Sequence, residues 1–172
     1  AAATIVPRYV LGGPKHVAPS DRVNVALVGA GGRGLRNARE LMKLADVRIT
    51  TVADPAEHWD LSKFYYLGVA GRLPTCDQIE KHYRQTEPNF KCGQSEDYRK
   101  LLDGEGSGID AVLCATPDHL HAHVSITAMR AGKHVYCEKP LTHNIAEARL
   151  VAKVARETGA ATQLGNQGHS RD

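Results

Sequence analysis

The stretch from Arg22 to Asp54 constrains the fold of this chain more than any other. An apolar and β-branched run at Val23–Val28 predicts a buried strand of a parallel sheet. The strand leads into a G-x-G-x-x-G sequence, after which apolar residues recur at helical spacing. A second β-rich run at Val47–Ala53 ends on Asp54, which lies 20 residues after Gly34. This order of strand, glycine turn, helix and strand predicts a βαβ unit.

Each part of this unit suits the binding of a dinucleotide. The predicted cofactor-binding residues of the turn are Gly29, Ala30, Gly31, Gly32, Arg33 and Gly34. The first glycine of the motif permits a tight turn, the second lets the backbone approach a diphosphate, and the third lets the helix pack on the strand. The first turn of the helix offers free N–H groups and the positive end of the helix dipole to the phosphates. A βαβ turn that binds no ligand is the alternative interpretation.

Asp54 indicates which dinucleotide would bind. Its carboxylate can accept hydrogen bonds from ribose hydroxyls and would repel a 2′-phosphate, so NAD is the predicted cofactor and NADP is disfavoured. Arg33 and His58 are cationic groups close to this position, and they weaken the discrimination.

Length and charge limit the classes of protein. The 172 residues have room for one sizeable domain but not for two full ones. The net charge is only +3, and no basic stripe with interleaved aromatic residues occurs, so no nucleic-acid partner is predicted. No apolar run approaches the ~18 residues that a membrane span needs, so no membrane partner is predicted either.

The cysteines and histidines do not have the spacing of a metal site. The four cysteines lack any C-x-x-C pattern, and the three histidines within 119–123 would point to different sides of a helix. Cys114 and Cys137 lie in apolar runs and are expected to be buried thiols. Cys76 and Cys92 flank a polar segment, and a disulfide between them is a hypothesis that depends on export of the protein.

Residues 1–21 are rich in proline and glycine and are expected to form an extended arm outside the sheet domain. The arm begins with Ala-Ala-Ala, which is either the remnant of a cleaved signal peptide or an arbitrary boundary. Residues 22–168 are predicted to form the dinucleotide-binding domain, with an irregular insertion around 56–94. Within that insertion we expect an aromatic helix at Ala56–Tyr66 that packs on the sheet, and a short helix at Asp77–Arg84.

Strands and helices are expected to alternate through the rest of the chain. The predicted strands are Ile109–Ala115, His134–Cys137 and Ala161–Leu164, and the predicted helices are Ser95–Leu102, His119–Ala131 capped by Asp118, and a helix from a capping box at 144–147 to Thr158. The alternation predicts an α/β fold, a Rossmann-type doubly wound parallel sheet that binds its ligand at the carboxyl ends of the strands.

Lys139 is the candidate for proton transfer among the polar residues at the predicted strand ends. It follows Glu138 directly, and a lysine whose pKa is lowered by partial burial can exchange a proton with a substrate hydroxyl during hydride transfer. From position alone, an exposed Glu–Lys pair with no catalytic role is an equally good interpretation.

The motifs GAGGRG, VADP, ATPDHLH and CEKPL, in this order, resemble the cofactor domain of the glucose–fructose oxidoreductase, inositol dehydrogenase and rhizopine catabolism (Gfo/Idh/MocA) family. The similarity extends from Val23 to Gln167. It implies that Lys139 is the catalytic lysine and contacts the cofactor, and that Glu138 contacts the ribose of the cofactor. The further residues that it places near the nicotinamide are Thr116, Pro117, His121, Asn166 and Gln167.

The resemblance also implies properties of a whole enzyme. Members of the family have a second α/β domain that binds substrate and mediates oligomerisation, and residues 169–172 correspond to its start. The sequence is therefore expected to be a piece of a longer chain or a natural half, inactive alone and homo-oligomeric when complete. The arm is similar to that of exported members, which implies a periplasmic or exported protein; otherwise the protein is cytoplasmic.

The activity that the resemblance implies is hydride transfer between NAD and a sugar or polyol. One alternative is the cleavage of glycosides by transient oxidation of the sugar and elimination. A second alternative is a dinucleotide-binding module without catalysis.

Overall fold

The structure, a computed structural model, describes residues 13, 17–104 and 108–169. Most of the predicted arm lies outside the described residues. The strands in chain order are β1 (Val23–Val28), β2 (Val47–Ala53), β3 (Trp59–Asp60), β4 (Val69–Ala70), β5 (Gly93–Ser95), β6 (Ala111–Cys114), β7 (His134–Glu138) and β8 (Thr162–Gly165). The α-helices are α1 (Gly32–Leu41), α2 (Arg72–Tyr83), α3 (Tyr98–Gly104), α4 (Asp118–Arg130) and α5 (Ile145–Thr158).

Six strands form one parallel sheet in the order β5-β2-β1-β6-β7-β8. The chain runs outward from β1 through β2 to β5 and then crosses to β6 on the other side of β1. This reversal is the topological switch point at which doubly wound sheets bind ligands. The predicted fold class is therefore confirmed, and β1 and β2 have the predicted bounds.

Both faces of the sheet are buried. Val25 and Leu27 of β1 join one hydrophobic cluster with α1 and α2, whereas Ala26 and Val28 join a second cluster with α3, α4 and α5. Successive side chains of a strand point to opposite faces, so the buried apolar residues at positions 25–28 fill both cores. The two cores fix the ends of the strands and hence the site that they carry.

The prediction of a helix at Ala56–Tyr66 was wrong. This segment begins the β3–β4 hairpin (residues 59–70), in which β3 pairs with β4 in antiparallel register. Leu67 and Gly68, which follow the segment, have φ angles of 53° and 80° and form the turn that leads back to β4. The aromatic residues were expected to pack on the sheet, but they are exposed instead. The local sequence did not reveal this turn with positive φ.

The segment between β2 and β5 is more regular than predicted. Helix α2 begins at Arg72, five residues before the predicted start at Asp77, with Pro74 in its first turn, where no N–H partner is needed. The helix connects β2 to β5, which pairs in parallel with β2. Within the expected insertion, α2 and β5 thus continue the alternation of the main sheet, and the β3–β4 hairpin stands apart from it.

Two helix starts test the predicted caps. Asn144 caps α5, because its Oδ1 accepts the N–H of Glu147 at 2.9 Å, as the capping box predicts. Asp118 is not the N-cap of α4: Pro117 holds that position, and Asp118 lies in the first turn. Helix α3 begins at Tyr98 rather than at Ser95, because Ser95 is the last residue of β5.

None of the helices within the described residues is long and apolar enough to cross a bilayer.

Candidate functional site

Three cavities adjoin one another at the carboxyl edge of the sheet, and Thr116 lines all three. We call them the Asp54 cavity (480 Å³), the glycine-loop cavity (220 Å³) and the Lys139 cavity (660 Å³). Asp54 and Trp59 line both of the first two, and Arg33 and Tyr66 line both of the last two. Together they form one crevice along the switch point of the sheet.

Packing alone explains two glycines of the G-x-G-x-x-G loop. Gly29 has a φ of 94°, and a Cβ there would lie 2.6 Å from the carbonyl carbon of Ala115. A Cβ on Gly34 would overlap the carbonyl oxygen of Gly29. These contacts let α1 and β6 approach the end of β1 closely. Any other residue at either position would disturb the fold whether or not a ligand binds.

Packing does not explain Gly31. Its φ of −72° and ψ of −176° suit any residue, and a Cβ would contact only Trp59, at 3.9 Å from Cζ3. Because Gly31 lines the glycine-loop cavity, a side chain there would enter it. Gly31 is also the N-cap of α1 and makes no side-chain cap, so the first N–H groups of this helix are left for a ligand. The loop therefore fits a diphosphate.

Asp54 has a structural role that the sequence did not reveal. Its Oδ2 accepts the N–H of Ala30 at 2.6 Å, and its Oδ1 accepts the N–H of Ala56 at 2.8 Å. The carboxylate thus ties the glycine loop to the end of β2. Each carboxylate oxygen keeps a further lone pair, and the side chain faces the Asp54 cavity, so it can still accept ribose hydroxyls. His58 also lines this cavity.

Glu138 is buried, with 4% of its surface exposed, at the end of β7. Its Oε1 accepts hydrogen bonds from Asn37 Nδ2 at 2.6 Å and Gln167 Nε2 at 2.7 Å, and it pairs with Arg33 Nε at 3.1 Å. Burial raises the pKa of Glu138, but these three donors outweigh burial and hold the pKa below its ordinary value. The carboxylate links β7 to α1 and to the segment after β8.

This network joins residues that sequence reasoning placed separately. Arg33, predicted as a phosphate-loop residue, also hydrogen-bonds to Gln167, predicted to lie near the nicotinamide. Asn37, on the next turn of α1, was not predicted at all, nor was Tyr136, whose hydroxyl accepts from Gln167 Nε2 at 2.5 Å. No sequence signal marks these two residues, because their role depends on how α1 packs on the sheet.

Lys139 lines the Lys139 cavity with Thr116, Asn166 and Gln167. It is exposed, so the partial burial that we expected is absent from the described structure. Among the described ion pairs, Glu138 pairs with Arg33 and not with Lys139. Glu138 and Lys139 therefore do not form the exposed ion pair of the alternative interpretation, and Lys139 lines an open cavity.

His121 is 2% exposed, although it also borders the Lys139 cavity. Its Nε2 lies 2.8 Å from the carbonyl oxygen of Thr116, and its Nδ1 lies 2.5 Å from that of Pro140. The ring thus connects the turn after β6, where Pro117 lines the other two cavities, to the turn that follows Lys139. Its visible role is to hold the two turns together.

The sequence did not reveal a cluster beneath these turns. Cys114 and Cys137 are opposite each other on β6 and β7, and with His121 they bring three metal-ligating atoms within 4.8 Å of one another. The largest effect on the pKa of the Cys114 thiol is a hydrogen bond from Cys137, which lowers it. Burial raises this pKa, Thr116 and His121 lower it, and the net result is a pKa of about 7. Both ring nitrogens of His121 already face carbonyl oxygens.

All four cysteines are buried free thiols. The disulfide hypothesised between Cys76 and Cys92 is thus absent, and both thiols instead donate to the carbonyl oxygen of Gly93, at 3.6 and 3.5 Å.

The strand order, the uncapped glycine loop and the acid at the end of β2 define a dinucleotide-binding α/β domain. The chain belongs to the oxidoreductase family with an NAD-binding Rossmann fold (GFO_IDH_MocA), whose family model matches residues 73–166. The predicted family and the predicted cofactor, NAD, are confirmed.

Individual relatives agree with this assignment. A scyllo-inositol 2-dehydrogenase (NAD(+)) from Bacillus subtilis is 30% identical over 145 residues, which are 84% of this chain and 35% of that protein. A glycosyl hydrolase family 109 protein from Shewanella baltica is 29% identical over 143 residues, 83% of this chain and 28% of that protein. The chain thus spans about a third of the length of these relatives.

A solved structure shows the same fold. Scyllo-inositol dehydrogenase from Lactobacillus casei, with bound NAD(H) and scyllo-inositol, superimposes with a TM-score of 0.66. The superposition covers 88% of this chain and 38% of that one, at 20% sequence identity.

Proposed function

We propose that this chain is the cofactor domain of an enzyme that transfers a hydride between NAD and a sugar or polyol. The observation that carries the proposal is the position of Lys139 in the same crevice as the open space beside Gly31. A site that only stored a dinucleotide would need the glycine loop and Asp54 but no ammonium group at the far end. The names of the inositol dehydrogenase relatives support the substrate class.

We assign the three cavities to the three parts of the cofactor. Asp54, in a cavity otherwise lined mainly by apolar side chains, would hold the adenosine ribose, and the glycine loop would hold the diphosphate. The nicotinamide, which accepts and donates hydride when NAD is bound, would lie in the Lys139 cavity. There Lys139 would take the hydroxyl proton of the substrate during oxidation and return it during reduction.

The remaining polar residues would keep Lys139 in place. His121 fixes the turn after Lys139 through the carbonyl of Pro140, and Glu138 fixes the end of β7 through Asn37 and Gln167. Neither the His121 ring nor the Glu138 carboxylate is needed as an acid or base in this scheme. The predicted contact of Glu138 with the cofactor ribose stays a prediction, as do export and homo-oligomerisation of the whole protein.

Lys139→Ala tests the catalytic assignment in the protein that contains this chain. Turnover should fall at least about 100-fold, because general acid–base catalysis contributes factors of this order. NAD affinity, measured by calorimetry, should change less than about twofold, since the lysine does not line the glycine-loop cavity. Lys139→Arg, which keeps the charge but does not give up its proton, should be nearly as inactive. Unchanged turnover in the alanine variant would refute the assignment.

The Shewanella baltica relative favours a second candidate, the cleavage of glycosides through transient oxidation and elimination. Incubation of the enzyme with an aryl glycoside distinguishes the two candidates. Simple oxidation accumulates NADH and leaves the glycosidic bond intact. Elimination releases the aglycone without net NADH, because the hydride returns to the sugar at the end of the cycle.

A further inference from the structure

The β3–β4 hairpin carries an unusual concentration of exposed apolar side chains. Of the large hydrophobic residues that are exposed in the described structure, those on the hairpin are Trp59, Phe64, Tyr65, Tyr66, Leu67 and Val69. Single exposed apolar residues are ordinary, whereas a contiguous group of them marks a contact surface or a ligand groove. Tyr65 is the most exposed member of this group, at 87%.

The hairpin lies directly opposite the glycine loop. The side chain of Tyr66 packs on Gly32 so closely that a Cβ on Gly32 would overlap the Cβ and Cγ of Tyr66. Trp59 Cζ3 lies 3.9 Å from the position of a Cβ on Gly31. The backbone N–H of Gly71, just after the hairpin, donates to the carbonyl oxygen of Ala30 at 3.0 Å. The glycine-loop cavity therefore lies between the loop and the hairpin, and residues of both line it.

The base of the hairpin is anchored, whereas its aromatic side chains are exposed. Leu61 and Ala70 are buried, and the N–H groups of Arg72 and Leu73 donate to the carbonyl oxygens of residues 56 and 57 at 2.9 and 3.0 Å. The aromatic rings contact chiefly one another: Trp59 and Phe64 form an edge-to-face pair with ring centroids 5.5 Å apart. A fixed base with uncovered rings suits a surface that is completed by a ligand.

We propose that Trp59 and Tyr66 bind the cofactor by covering its diphosphate in the glycine-loop cavity and excluding water from it. The inference rests on the proposed placement of NAD at the glycine loop. The loop supplies N–H donors from one side, and the rings supply an apolar cover from the other. Exclusion of water strengthens the interaction of the helix N-terminus with the phosphates, because the local dielectric is lower.

The same contacts allow an opposite role, in which Tyr66 occupies the mouth of α1 and competes with the diphosphate. The two roles differ in the sign of one measurement. Removal of a cover weakens NAD binding and speeds NAD release, whereas removal of a competitor strengthens binding.

Calorimetric titration of this chain with NAD+ provides the test, with Tyr66→Ala as the main variant and Leu67→Ala as the matched control. Leu67 is exposed on the same hairpin but lines none of the three cavities. We expect Tyr66→Ala to raise the Kd for NAD+ about tenfold through faster release, and Leu67→Ala to change it less than about twofold. Equal or tighter binding by Tyr66→Ala would overturn the inference, and so would an equal loss in both variants.

Trp59 supplies an independent measurement, because it is the sole tryptophan of the chain. If the hairpin covers the diphosphate, bound NAD+ should reduce the quenching of Trp59 fluorescence by acrylamide at least about twofold; unchanged quenching at saturation contradicts the inference. Should Tyr66→Ala fail to fold, Trp59→Leu is expected to show the same loss of affinity.

Failure of the inference and failure of the proposed function are distinguishable. Absence of NAD+ binding by the unmodified chain would refute the placement at the glycine loop and the inference with it. Normal binding that is insensitive to Tyr66→Ala and Trp59→Leu would refute the hairpin role alone.

Discussion

Glu138→Gln should destabilise the chain by about 2 kcal/mol near pH 7. The amide oxygen can still accept from Asn37 and Gln167, so the lost contribution is the charge that assists three contacts. Hydrogen bonds to an ionised group are worth roughly 1 kcal/mol more than those between neutral groups, which gives about 3 kcal/mol for three. The expected loss of stability is smaller than this sum for two reasons. The variant no longer has to bury a carboxylate, and Arg33, which is partly exposed, can turn towards water.

The difference in the free energy of unfolding between the unmodified chain and Glu138→Gln should depend on pH, and the pKa of Glu138 determines the direction of this dependence. The folded pKa of Glu138 lies below its ordinary value of 4.5, so the charge stabilises the fold fully at pH values above the unfolded pKa. That contribution is lost as the pH falls through the lower, folded pKa. Equilibrium unfolding in urea should therefore give a constant difference from about pH 8 to about pH 5.5, and a shrinking difference below 4.5.

Glu157→Gln is the matched control, because Glu157 forms an exposed i,i+4 ion pair with Lys153 on α5 at 3.7 Å. Its effect should stay below about 0.5 kcal/mol. If Glu138→Gln were as mild as the control near pH 7, or if its effect grew on acidification, the carboxylate would not be the buried anion of this network.

Two further predictions concern stability. Asn144→Ala should cost about 1 kcal/mol through loss of the α5 cap, as measured by thermal unfolding. Asn144→Ser should be nearly neutral, because its hydroxyl oxygen can still accept the N–H of Glu147 and puts no second carboxylate beside that of Glu147. Equal losses in both variants would contradict the capping role. Gly29→Ala should destabilise the fold by at least about 2 kcal/mol, because Gly29 has a φ of 94° and the added Cβ would overlap with Ala115. Gly31→Ala should change the stability by less than about 0.5 kcal/mol. Similar unfolding midpoints for the two variants would show that the loop packs differently.

The sequence predicts the first half of the site well because local chemistry specifies it. The apolar run of β1 is bounded by a glycine turn, and the run of β2 ends at Asp54, so both strands have the bounds that the pattern indicates. Gly31 and Asp54 reach the crevice because parallel strands end at one edge.

The parts that were missed depend on tertiary register. Cys114 and Cys137 are 23 positions apart in sequence and become neighbours only because β6 pairs with β7. Asn37 contacts Glu138 only because of the way α1 packs on the sheet. The first part of the β3–β4 hairpin, up to Tyr66, was predicted as a helix, because neither the antiparallel pairing with β4 nor the positive φ of Leu67 leaves a mark in composition.

Titration of NAD+ into the unmodified chain and into Gly31→Val tests the central claim most directly. A Cβ at this position meets only Trp59, at 3.9 Å, so we expect the fold to accept the valine, whose side chain would enter the cavity assigned to the diphosphate. The account predicts saturable binding to the unmodified chain, no detectable binding to Gly31→Val, and closely similar unfolding temperatures. Equal NAD+ affinity in the two proteins would contradict it.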